Sequence, residues 1–154
     1  MRSLFTAGRP GISNDELDRL VSTRLSRQAI FGKPEPPHCV VVIDESALRR
    51  RIGTPQVMHD QLAHLAEMAA QPYVTLQVVP YGPNAGLSGG FMIASADGAS
   101  DVAVAESLED VTSGARAFVR KAAVVFDVVR GEALTVARSL SLIMEVAGRW
   151  KSQV

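Results

Sequence analysis

Cysteine is almost absent from this chain: Cys39 stands alone, which excludes an internal disulfide and a thiolate metal cluster. Histidine is scarce too. Of His38, His59 and His64, the last two lie five apart on one expected helix and point to separate faces, so no zinc site is expected. Net charge is missing as well, because sixteen bases offset sixteen acids. A free-standing nucleic-acid binder would carry a basic excess, so no direct nucleic-acid contact is expected. No apolar run is long enough for a signal peptide or a bilayer span, which leaves a cytoplasmic protein with no membrane partner. There is no G-x-S-x-G elbow. The stretch Gly86-Leu-Ser-Gly-Gly90 lacks the Lys-Ser/Thr pair of a phosphate loop and leads into a strand rather than a helix. No cofactor is implied.

What remains is a chain of 154 residues, 47% hydrophobic and 21% charged, long enough to bury one core. Ser13-Asn-Asp-Glu16 is a capping box, and the helix it opens runs to about Ile30. His38 to Asp44 reads as a strand without polar alternation, the pattern of an interior strand covered on both faces. Thr54-Pro55 is an N-cap followed by proline at the first helical position, and that helix reaches about Ala70. Val74 to Val79 reads as a second strand. Phe91 to Ala96 and Val102 to Glu106, joined by Asp97-Gly98, read as two more, antiparallel. Two helices close the chain, from about Ser113 to Arg130 and from Thr135 onward. The order predicts a mixed α/β fold: a mixed sheet of about four strands flanked by four helices.

The polar residues in apolar company carry the functional signal. In "VVVIDESALRRRIG", residues 40–53, two acids and three arginines follow the strand directly. The stripe Leu17, Leu20, Val21 and Leu25 has Arg24 and Gln28 in its middle and Arg27 at its edge. A guanidinium on a buried face needs a carboxylate. Ligand sites of α/β folds lie at strand ends. The expected network therefore turns Glu45 inward to meet Arg24 or Arg27, beside Glu106, with Arg49 to Arg51 on an exposed turn. A scaffolding ion pair is the plainer account of these groups, and a site is the sharper one.

Taken together, "AGRPG…DELDRLVSTRLSRQAIF", "VVVIDESALRRRIGTPQVMHDQLAHLAEMA", "VTLQVVPYGPNAGLSGGFMI", "VAVAES" and "FDVVRGEAL" resemble the domain of unknown function 5753 family. In that family the domain follows a helix-turn-helix of the xenobiotic-response-element type in actinobacterial transcriptional regulators. The resemblance implies that residues 1–12 are the remnant of a linker and 13–154 a single effector- or partner-binding domain without its DNA-reading half. It carries over to Arg24, Arg27, Gln28, Glu45, Leu48, Arg49, Gly53, Gln61, Leu62, Leu65, Pro80, Gly90, Phe91 and Glu106. Where the family often has a histidine in the loop after Pro80, this chain has Asn84-Ala85-Gly86.

Two functions follow. One is a sensing module that binds a small-molecule effector or a small companion protein through Arg24, Arg27, Gln28, Glu45, Arg49, Tyr81, Phe91 and Glu106. The other is a stand-alone biosynthetic enzyme, a cyclase or isomerase, with Glu45 and Glu106 as acid and base. A homodimer is expected from Val136, Met144 and Trp150, an apolar stripe with little chain left to cover it.

Overall fold

The computed structural model describes residues 11–82, 89–105 and 111–154. Its elements are α1 (Asn14–Gln28), a 3-10 turn (Ala29–Gly32), β1 (Cys39–Asp44), α2 (Glu45–Arg49), α3 (Pro55–Ala69) and β2 (Val74–Val79). They are followed by β3 (Phe91–Ala94), β4 (Val102–Ala105), β5 (Val111–Ser113), α4 (Arg116–Gly131) and α5 (Val136–Lys151). Both expected caps are in place. The Ser13 hydroxyl accepts the Glu16 N–H at 3.2 Å, and Thr54 accepts that of Val57 at 3.3 Å ahead of Pro55. Each satisfies a donor that the first helical turn leaves orphaned.

The strands do not join into one mixed sheet. Among the described residues β1 pairs with β2 alone, and β3, β4 and β5 form a separate antiparallel sheet in that order. The physical reason lies in the pattern of β3, whose Phe91 and Ile93 are half-buried while Met92 and Ala94 are exposed. A strand with one wet face suits an antiparallel sheet, and strands that follow one another in sequence commonly pair. Here the turn at Gly98, whose φ is +74°, folds the chain so that Phe91 faces Ala105 and Ala94 faces Val102. The interior position expected for residues 40–43 is corrected accordingly. All six residues of β1 are half-buried, and its sheet has two strands. The count of helices also changes, because the short α2 makes five among the described residues.

Contacts divide the chain into two compact units, one of residues 1–41, 46–76 and 136–154 and the other of 42–45 and 77–135. In the first, α3 packs along α5 and the core holds Leu48, Met58, Leu62, Leu76, Ile143, Val146 and Trp150. Trp150 was expected on an uncovered stripe; instead it is buried, and its indole N–H donates to the Leu48 carbonyl at 3.0 Å. The premise drawn from Trp150 for a homodimer is thereby removed, although Met144 and Val136 on the same helix stay exposed. A cross-link of another kind holds α3 to α5: His59 Nδ1 lies 3.0 Å from the Ala147 carbonyl. A carbonyl only accepts, so Nδ1 carries the hydrogen.

In the second unit α4 packs on β3 and β4. The stretch leading to α5 is tied to β2, as Leu134 N–H donates to the Val78 carbonyl at 2.9 Å and the Gln77 side chain donates to the Leu134 carbonyl at 2.8 Å.

Candidate functional site

Two hydrogen bonds fix how β1 and β2 lie together. Cys39 N–H, at the start of β1, donates to the carbonyl of Tyr73, just before β2, at 2.8 Å. At the other end the Tyr81 N–H, just beyond β2, donates to Glu45 Oε2 at 2.9 Å. Starts meet starts and ends meet ends, so the strands are parallel and their C-terminal ends share one edge.

Glu45 closes that edge. It follows β1 directly and opens α2, and it is buried. A buried carboxylate is costly unless hydrogen bonds replace its water, and the Tyr81 amide supplies one that is charge-assisted. The bond spans 36 positions of sequence and holds the exit of β2 against the exit of β1. Beside it the Tyr81 side chain is 79% exposed, so an aromatic ring stands in solvent next to a fixed backbone. The polarity of α2 suits its ends, with the acid Glu45 in the first turn and the base Arg49 in the last.

Three other candidates lie on α1. Arg24, Arg27 and Gln28 are exposed on α1, so the burial that demanded a carboxylate for Arg24 does not occur. The helical phase of Arg24 matches that of Leu17, but only the first part of α1 is covered. Leu17 is buried, Leu20 and Val21 are half-buried, and every residue from Ser22 to Gln28 is exposed. Arg49, Arg50 and Arg51 are exposed as well, with Arg51 Nε donating to the Gly53 carbonyl at 3.1 Å. That contact braces the turn in which Gly53 takes a φ of +79°, a conformation favouring glycine. Phe91 opens β3 and is half-buried. Glu106 lies outside the described residues, and so does the Asn84-Ala85-Gly86 segment.

Among the candidate residues, Glu45 and Tyr81 are brought together by a hydrogen bond. Sequence reasoning passed over Gln77, and it gave His59 and Trp150 no part in cross-links. Gln77 is the one polar side chain in the apolar second half of β2, and besides donating to Leu134 it accepts from Arg130 Nε at 3.1 Å. A lone amide in an apolar run was the available signal.

Among the described residues no group of three or more His, Cys, Asp or Glu side chains is placed to hold a metal ion. No helix among them is long and apolar enough to cross a membrane.

The family described as Domain of unknown function (DUF5753) matches residues 1–145. This chain belongs to it. The match takes in α1 through most of α5, and with them both Glu45 and Tyr81. No curated protein and no solved structure matches the chain.

Proposed function

We propose that this DUF5753 domain is a sensing module of a transcriptional regulator, binding a small-molecule effector or a companion protein without transforming it. The observation that carries the reading is the bond from Tyr81 N–H to Glu45 Oε2. A general acid or base must offer its carboxylate to a substrate, within hydrogen-bond reach of the proton it moves. Glu45 instead commits an oxygen to a backbone amide, a fastening that holds two strand ends in register. Such an edge is where parallel α/β units receive ligands, and a rigid edge bearing the exposed Tyr81 ring fits a binding role.

The test is native mass spectrometry of the chain isolated from its own cells, paired with the Glu45→Gln variant. The reading expects a retained small molecule or a defined complex with a second protein, kept by the variant as long as it folds. Conversion of a metabolite by the wild-type chain, abolished in a folded Glu45→Gln variant, would overturn it in favour of acid–base catalysis.

A further inference from the structure

Strand register places Met92, Val104 and Thr112 side by side across β3, β4 and β5, with Ala94 beside Val102. Side chains alternate along a strand, so these five share one face, opposite that of Phe91, Ile93 and Ala103. α4 packs on β3 and β4, and Ala103 is buried, which puts the helix on the Ala103 side. On the other side Met92 is 59% exposed, Ala94 and Thr112 are exposed, and Val102 and Val104 are half-buried. The wet face of an antiparallel sheet ordinarily alternates to polar side chains, whereas this one holds four apolar residues and a threonine. Its surroundings are acidic. From Ala94 to Ser113 the chain has five acids and no base, and Asp97 and Asp101 stand exposed in the β3–β4 connection.

The outward side of α4 has the opposite charge. Val124 and Val128 are 58% and 53% exposed, and with the exposed Ala117 they stand on one side of the helix at helical spacing. Arg120 and Lys121 flank them, both exposed, and α4 carries four bases against one acid.

We propose that the outward side of α4 in one copy docks on the open face of the β3–β5 sheet in another, so that chains associate head to tail. The occupant follows from complementarity: an apolar face set among acids meets an apolar stripe set among bases. The contact also gives the sheet a helix on each face, a layered packing that one copy leaves half built. The two surfaces lie on opposite sides of the α4–sheet pair, so the contact is heterologous rather than two-fold. Pairing like faces across a two-fold axis would set acids on acids or bases on bases, which repel. The inference is independent of what the β1–β2 edge binds.

The test is sedimentation velocity of the full chain over a concentration series to about 1 mM, since so small an interface belongs to the weak end of specific contacts. The wild type should grow beyond a dimer as concentration rises. Met92→Lys blocks the sheet face, and Val124→Gln/Val128→Gln strips the helix face. Each should weaken association about ten-fold or more, with melting temperatures unchanged because these side chains are exposed. Asp97→Lys/Asp101→Lys should weaken it in the same direction. The deciding sample mixes the first two variants. There the intact α4 of one meets the intact sheet of the other, and the mixture should stop at a one-to-one dimer. A wild type that stays monomeric throughout, or that stops at a dimer, would overturn the proposal. So would either variant associating as the wild type does, or a mixture that remains monomeric.

Discussion

Helices α1 and α5 look alike in sequence and end differently. Each has an N-cap signal and an apolar stripe at helical spacing, yet Ile143 of α5 is fully buried while Leu25 of α1 is half in solvent. Periodicity states which face of a helix is apolar. It does not state whether another element arrives to cover that face. α5 meets α3, with His59 as a polar cross-link, and Trp150 ties it to α2, whereas α1 is covered only at its first turns. The basic residues that interrupt the α1 stripe were the visible difference, because a helix due for burial seldom places an arginine among its leucines.

Truncation should separate the two helices most sharply. Ile143→Ala removes a fully buried side chain and should cost about 2–5 kcal/mol in urea unfolding, whereas Leu25→Ala should cost under about 1 kcal/mol. Equal losses would show that α1 is covered in solution. A smaller effect is expected from Trp150→Phe, which keeps most of the ring but leaves the buried Leu48 carbonyl without its donor, at about 1–3 kcal/mol by the same measurement. Smaller again, Gly53→Ala forces a Cβ onto a φ of +79°. Since that Cβ would meet Val57 only at ordinary contact distance of 3.6 Å, the cost is backbone strain of about 1–2 kcal/mol, visible as a lowered melting temperature.

The features legible in the sequence were those set by neighbours in the chain. Ser13 and Thr54 marked their helices because a cap acts within three residues, and Asp97-Gly98 marked the β3–β4 connection because it forms a local turn, closed by the Ala99 N–H on the Ala96 carbonyl. The division into two sheets was not legible, since which strands pair across a long connection depends on contacts far apart in sequence. An unbroken apolar run fits an interior strand as well as half-burial in a two-stranded sheet. The candidate site was readable in part. A carboxylate following an apolar strand pointed to Glu45 turning inward. The Tyr81 amide that meets it could not be picked out, because every residue but proline carries such a donor. Arg24 was assigned a carboxylate on the premise of burial, and exposure on α1 removes the need.

The central claim is that Glu45 fastens the end of β2 to the end of β1. Amide hydrogen exchange of Tyr81, followed by NMR in the wild-type chain and in Glu45→Ala, tests it directly. The account predicts a protected Tyr81 amide in the wild type that exchanges at least about ten-fold faster in the variant, as loss of a hydrogen bond worth about 1.5 kcal/mol or more requires, while amides of Leu62 and Ile143 keep their protection. A Tyr81 amide that exchanges freely in the wild type, or one equally protected in both proteins, would contradict it.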